Sequence, residues 1–398
     1  MRIPLCILAF VVCAWGADNV TPPPSDSTDQ TPPAAQTPAP AAAPADAPKP
    51  ADATPPAPPP KYDGWVFSGL ADGYYDHNSN NPTLNYNQLQ NFDLHSGVPR
   101  LSLIKGTVDK SDKILGIHLD VGAGETMRLI HAGDPAAYDH QALRYVEQMY
   151  VILKPNHFHG TEIDFGQFVT SAGAEVIESS SNWNYTRSLL FSWAIPYYHF
   201  GLRTSTPITK ELTLGFQVTN AWNTVWGNNN MKNIAVTLAY TKTKYTYSLN
   251  YLEGPNNLGT TAGKRNLIDT TLLLTPNSKL NVYINGDFGQ NNAVAGSGYG
   301  RWFGIAGAAR YQLTKLFAIA GRAEVFDDDQ GFSTGAKQVI KEVTGTGEYK
   351  MNDHLVARME LRHDASDHAF FEHAAGQALT KGETTFTIGL VALLGPLK

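Results

Sequence analysis

NLIDTTLLLTPNSKLNVYINGDFGQNNAVAGSGYGRWFGIAGAARYQLTKLFAIAGRAEVFDD, residues 266–328, alternates apolar and polar side chains through four successive segments. Ile268, Thr270, Leu272 and Leu274 share one face of the first segment, with Leu267 aside; Leu280, Val282, Ile284 and Phe288 share one face of the second. A period of two marks strands, because successive side chains of an extended chain point to opposite faces. The first two segments are joined by the brief Pro276-Asn277-Ser278-Lys279, the next connection (290–300) is long, polar and rich in Gly and Asn, and a tight turn at Lys315 separates 301–314 from 316–328. Short turns alternating with long loops predict an antiparallel meander of the kind that closes into a transmembrane barrel.

Working outward, the same reading gives sixteen strands: 62–75, 98–109, 113–122, 143–154, 160–170, 197–208, 211–221, 231–242, 244–254, 266–275, 279–290, 301–314, 316–328, 336–350, 354–367 and 383–395. Most reach the nine to eleven residues, roughly, that a tilted strand needs to cross a bilayer core. An even count places both chain ends on the short-turn side. Parity agrees: Ile234, Val236, Leu238 and Tyr240 oppose Asn233 and Thr237, while Leu355, Ala357, Met359 and Leu361 oppose Arg358, Glu360, Arg362 and Asp364. A soluble sandwich also alternates, but its connections do not separate into a short end and a long end. In 143–154 Arg144, Glu147 and Gln148 do not share a face, which leaves that register unsettled. The expected fold is an all-β, antiparallel, 16-stranded transmembrane barrel spanning 62–398.

Of the 398 residues 42% are apolar and 17% charged, ample for one large sheet structure. Cys6 and Cys13 both lie in the opening segment, so no disulfide or cysteine metal cluster is expected beyond it. A formal net charge of -6 supplies no basic footprint, and nucleic acid is excluded as a partner. Residues 1–16 read as a signal peptide, with Arg2, an apolar run through Val12, and Ala14-Trp15-Gly16 before Ala17. Residues 17–61, with Pro22-Pro23-Pro24 and Pro58-Pro59-Pro60, have little apolar surface to bury and are expected to form a disordered, extended periplasmic tether. A spacer role and cell-wall contact are both consistent with it.

Chemistry-bearing motifs are sparse. His157 and His159, and His363, His368 and His373, lack a firm ligand spacing, so no metal or cofactor is expected. Asp327-Asp328-Asp329 reads as a solvated loop with weak calcium binding as the alternative. The chain is not expected to be an enzyme; a Ser/His lipase on adjacent strands is the runner-up class.

Gly166-Gln167-Phe168, Ser171-Ala172-Gly173-Ala174-Glu175, Asn182-Trp183-Asn184-Tyr185-Thr186-Arg187-Ser188, His199-Phe200-Gly201 and Val218-Thr219-Asn220-Ala221-Trp222 carry a resemblance to the second β-barrel porin family of Gram-negative outer membranes. The resemblance runs from about Tyr62 to the C-terminus. It implies an outer-membrane porin passing small hydrophilic solutes, in contact with outer-membrane lipid and with self-association common for this strand number. A structural or adhesive barrel is the alternative. The ending Leu394-Gly395-Pro396-Leu397-Lys398 departs from the terminal aromatic of many outer-membrane barrels.

Sixteen strands enclose a lumen, and general porins, which the arrangement resembles, narrow theirs with the third long loop. Here that loop is 171–196, with Glu175, Glu178, Trp183, Tyr185, Arg187 and Trp193 as constriction candidates. Capping of the mouth and contact with a neighbouring subunit are the other readings. Parity puts Glu147, Glu162, Asp164, Arg310, Arg322, Glu324, Arg358, Glu360, Arg362 and Asp364 on the lumen wall. They can set up a basic ladder facing an acidic loop, which sorts ions by charge, and cross-strand pairs of Arg358 and Glu360 with Arg322 and Glu324 that keep the interior hydrated; the two readings are compatible.

Overall fold

The computed structural model describes residues 64–134, 142–292 and 299–395. The expected signal peptide, the tether and the last three residues lie outside that range. Sixteen strands form one closed antiparallel barrel in which each strand pairs with its sequence neighbours and the first pairs with the last. They are β1 Trp65–Asn78, β2 Arg100–Ser111, β3 Leu115–Ala123, β4 Val146–Leu153, β5 Glu162–Val169, β6 Tyr198–Pro207, β7 Leu212–Thr219, β8 Asn233–Lys242, β9 Tyr245–Gly254, β10 Arg265–Leu274, β11 Leu280–Asn292, β12 Tyr299–Gln312, β13 Phe317–Asp328, β14 Gln338–Asn352, β15 Leu355–Ser366 and β16 Gly382–Leu394. Closure runs from Gly69 opposite Leu394 to Asn78 opposite Thr385. It removes the unpaired edge that hydrocarbon cannot solvate.

The wall is inverted relative to a water-soluble protein. The alternation read from the sequence turns Phe216, Val236, Ile284 and Met359 outward, with Val236 50% and Met359 56% exposed. The opposite parity buries Gln217, Asn250, Asp269, Asn285, Asp287, Arg322, Glu324, Glu342, Arg358, Glu360, Arg362 and Asp364. Polar side chains line the interior and apolar ones the belt, as a lipid solvent requires. Substituting Ile305, outward and near the middle of β12, by Arg is expected to cost about 2–4 kcal/mol of folding into vesicles. Lys315→Gln in the adjoining turn should leave the urea midpoint where it was.

Most strand limits shift by one or two residues from the alternation, and two larger shifts have a clear cause. β1 extends to Asn78 because Asp76, His77 and Asn78 continue the ladder with Thr387, Phe386 and Thr385. Residues Leu143–Tyr145 form a 3-10 turn, so β4 starts only at Val146. The register shift beside Asp120 pairs Asp120 with Gln148 and Val121 with Val146, so Glu147 is the bulged residue. Glu147 is buried, with Lys105 Nζ 3.0 Å away, while Gln148 hydrogen-bonds Asp120 inside the barrel (2.9 Å). Two consecutive side chains therefore enter the lumen, which no strict alternation accommodates.

Candidate functional site: the lumen and its inward loop

The loop 170–197 joins β5 to β6 and has a closed neck, with Thr170 N donating to Tyr197 O at 3.1 Å. Beyond the neck it enters the lumen. Its Gly-, Ser- and Asn-rich start forms only one 3-10 turn, Ser179–Ser181, so most of its buried backbone groups need partners elsewhere. The barrel wall supplies them. Asn250 donates to Ser171 O (3.0 Å), Gly173 N donates to Asp269 (2.9 Å) and Ala174 N to Asn285 (3.0 Å). On β15 the Glu360 carboxylate accepts from Tyr185 N (2.6 Å) and Thr186 N (2.9 Å). On β13 Glu324 accepts from Leu189 N (2.6 Å) and Leu190 N (3.1 Å), where a short π-helical turn, Leu190–Ala194, begins. Trp302 of β12 donates to Ala194 O (3.0 Å) as the loop leaves.

Each predicted loop residue has a definite place. Glu175 is buried against Arg322 (2.8 Å), Tyr283 OH (3.2 Å) and Ser188 N (2.6 Å). Glu178 turns to the opposite wall and pairs with Lys105 of β2. Trp183 lies against Tyr283 with ring centroids 5.1 Å apart, and Tyr185 OH donates to Asp72 of β1 (2.7 Å). Arg187 donates to the loop's own Ile177 carbonyl and covers the Phe92 ring at 4.6 Å. Trp193 donates to Leu89 O (3.0 Å).

The predicted wall residues divide in two. Arg322, Glu324, Arg358, Glu360 and Arg362 touch the loop directly: Arg322 also donates to Thr186 O (2.8 Å), Arg358 to Ser179 O, and Arg362 to Arg187 O (2.6 Å). Glu147, Glu162, Asp164, Arg310 and Asp364 are held in ion pairs with Lys105 (3.0 Å), Lys154 (3.1 Å), Arg203 (2.7 Å), Glu348 (2.6 Å) and Arg362 (2.7 Å) respectively. The contact between basic wall and acidic loop is therefore direct at Glu175, whereas Glu178 is neutralised elsewhere. Cross-strand pairing also takes partners parity alone does not name, Arg322 with Glu342 (3.2 Å) and Arg358 with Glu348 (2.8 Å).

Below the loop, on the short-turn side, a cavity of 530 Å³ lies between β5–β11 and loop residues 173–175 and 181–183. A family model described as "Putative beta-barrel porin-2, OmpL-like" matches residues 65–394. The chain belongs to this β-barrel porin family. The resemblance read from the motifs is confirmed over nearly the same span. Among solved structures, OmpT of Vibrio cholerae is 11% identical, covering 83% of this chain and 97% of its own at a TM-score of 0.54. An anion-selective porin from Comamonas acidovorans is 11% identical over 83% and 99% of the two chains, TM-score 0.54. Salmonella typhi OmpF in complex with daunomycin is 13% identical over 83% and 98%, TM-score 0.54. At these identities the likeness is one of fold. No curated protein matches the sequence.

Several residues that hold this porin's loop escape sequence reasoning. Asp72 and Glu342 are both inward by parity: Asp72 anchors the loop directly, accepting from Ser179 Oγ (2.6 Å) and Tyr185 OH more than a hundred residues away, and Glu342 acts through Arg322 on the adjacent strand. Gly304 and Gly389 are needed for close approach. A Cβ at Gly389 would lie 2.2 Å from the Tyr185 ring, and one at Gly304 would lie 2.6 Å from Leu190. The readable signal was the run of small residues Gly304, Ala306 and Ala308 on the inner face of β12. Lys105 Nζ stands among Asp120 (3.3 Å), Glu147 and Glu178, so an ammonium already fills that acidic group. Asp328 accepts Phe332 N, Ser333 N and Thr334 N at 2.6–2.9 Å, so it caps its own loop.

The first long loop, 79–99, also folds inward, and Phe92 packs on Phe191 and Tyr197 (5.5 and 5.4 Å). Asp93 beside it is buried with neither carboxylate oxygen hydrogen-bonded among the described residues. Burial pushes its carboxyl up to about 7, with Arg362 opposing and Asp76 and Glu360 reinforcing the rise. A raised folded pKa means that the docked loop holds the proton and the undocked loop releases it. The stabilisation is complete below the ordinary carboxylate range and lost as pH rises through about 7. Protease protection of 79–99 is expected to fall between pH 5 and pH 8, as an order-of-magnitude window, and Asp93→Asn should flatten the profile.

Proposed function

We propose that this porin carries small hydrophilic solutes across the outer membrane by passive diffusion, with 170–197 as the constriction of the lumen. The observation that supports it most is the hydrophilic inner wall with an inward loop bound to it, beside a cavity of 530 Å³ that hydroxyl, amide and charged side chains reach. In this reading Glu175, Tyr185 and Arg187 hold the constriction in place, Glu178, Trp183 and Trp193 complete its surface, and the ten wall residues set the charge around it. Charges in a narrow, poorly screened space act more strongly than on an outer surface. Both chain ends leave from the short-turn side, which corresponds to the periplasm. There 17–61 serves as a spacer after removal of 1–16 and is placed to touch the cell wall.

Planar-bilayer recording on protein whose band shifts on heating tests the reading. Steady ohmic conductance is expected. Folded protein that passes no ions would instead point to a structural or adhesive barrel.

A further inference from the structure

The cavity beneath the loop has chemistry of its own. Its wall on β6–β10 carries Ser205, Thr213, Thr237, Ser248 and Thr271, all on the inward parity of their strands, and none of these hydroxyls has a hydrogen-bond partner among the described residues. Ser248 and Thr271 stand directly opposite each other in the ladder. Small residues, Gly215 opposite Ser205 and Ala239 opposite Thr213 and Ser248, leave the space in front of them. The facing wall is aromatic, with Trp183 and Tyr283 tilted 34° to one another and the Trp183 indole half-buried.

Charge does not select the occupant. The lining carboxylates Glu162, Asp164 and Glu175 are each paired, with Lys154, Arg203 and Arg322 at 3.1, 2.7 and 2.8 Å, and Arg203 is the only lining cation among the described residues. A phosphate or carboxylate solute finds no unengaged guanidinium, and a cationic solute finds no unpaired carboxylate at the surface. Hydroxyls that both donate and accept, opposite a flat aromatic plate, match a molecule with hydroxyls on its rim and C–H groups on its faces. The size falls within the roughly 300–1,000 Å³ of small-molecule sites.

We propose that the short-turn vestibule is a binding site for a neutral oligosaccharide, whose ring stacks on Trp183 while its hydroxyls meet the β6–β10 belt. This deepens the diffusion reading and rests on it for the claim that the bound sugar is a solute in transit. Lining residues near the turn ends of β5 and β6, Gly160, Glu162 and Pro207, place its entrance on the short-turn side.

Calorimetric titration of the full chain in detergent micelles with maltotriose, cellotriose and raffinose tests it, with gluconate and glucosamine as charged comparators. At least one neutral sugar should bind, and Trp183→Ala should weaken it about tenfold, the worth of one stacked ring. Because Trp183 sits on the loop, a second variant, Ser205→Ala/Thr213→Val/Thr237→Val, leaves the loop untouched and should also weaken binding. Binding of no neutral sugar, tighter binding of the charged comparators, or unchanged affinity in both variants overturns the proposal. Ion conductance on the same protein keeps the two readings apart. Conductance without sugar binding overturns this site and leaves diffusion standing, whereas sugar binding without conductance supports the site and overturns diffusion.

Discussion

Replacing 172–195 by a short Gly-Ser bridge is expected to raise single-channel conductance severalfold while the barrel still folds. The neck makes this feasible, since Thr170 N and Tyr197 O are 3.1 Å apart and Val169 already pairs with Tyr198, so a bridge spans the gap without strain. The strands satisfy their backbones through the ladder and do not depend on the loop for it. What the deletion removes is a mass of buried side chains, Tyr185, Leu189, Leu190 and Phe191 among them, from the middle of the lumen. Water then reaches Arg322, Glu324, Glu360 and Arg362, hydrating charges that the loop's peptide groups had solvated. Ion preference should shift as well, because Glu175 no longer neutralises Arg322. If conductance and reversal potential both stay as in the intact chain, the loop does not constrict the route and the diffusion model loses its central element.

The second large effect concerns Arg322. Its side chain is fully buried, and it meets Glu175 at 2.8 Å, Glu342 at 3.2 Å, Glu324 at 3.7 Å and the Thr186 carbonyl at 2.8 Å. Substituting methionine keeps the length of the side chain but leaves carboxylates buried without their cation. Breaking a buried network from one side costs about 3–5 kcal/mol, mostly the desolvation of the abandoned charges. The weakest attachment should yield first, so the loop rather than the ladder should loosen. Arg322→Met is expected to expose 170–197 to protease and to lower the temperature of the gel shift. Adding Glu175→Gln should recover part of the loss, because one orphaned charge is gone. Arg310→Met is the control: its partner Glu348 (2.6 Å) is also held by Arg358 at 2.8 Å, so no carboxylate is left without a cation and the cost should be well below that of Arg322→Met. Equal protease protection in the Arg322 and Arg310 variants would show that the cluster does not anchor the loop.

These two experiments probe parts of the molecule that differ in how they can be read. The strand number, the division into short turns and long loops, and the inward parity of Arg358, Glu360, Arg362 and Asp364 were all present in the sequence. They follow from constraints that act residue by residue. Lipid admits strands only as a closed sheet, and a pleated strand in lipid must turn apolar side chains one way and polar ones the other. Such a pattern is local, so a local reading recovers it, and it fails only where a bulge breaks the alternation, as at Glu147.

Tertiary structure alone decided what fills the lumen. Tyr185 and Glu360 are 175 residues apart, and Leu189 and Glu324 135 apart. Glu178 met Lys105 rather than the basic wall, and 79–99 turned inward to pack Phe92 beneath Arg187. None of these choices leaves a period in the chain. They depend on which wall groups stand at the same depth once strand stagger and closure are set, and on where Gly304 and Gly389 leave room for a side chain from the loop. An irregular segment finds its place by satisfying its backbone on whatever wall is within reach. That wall exists only after the barrel has closed.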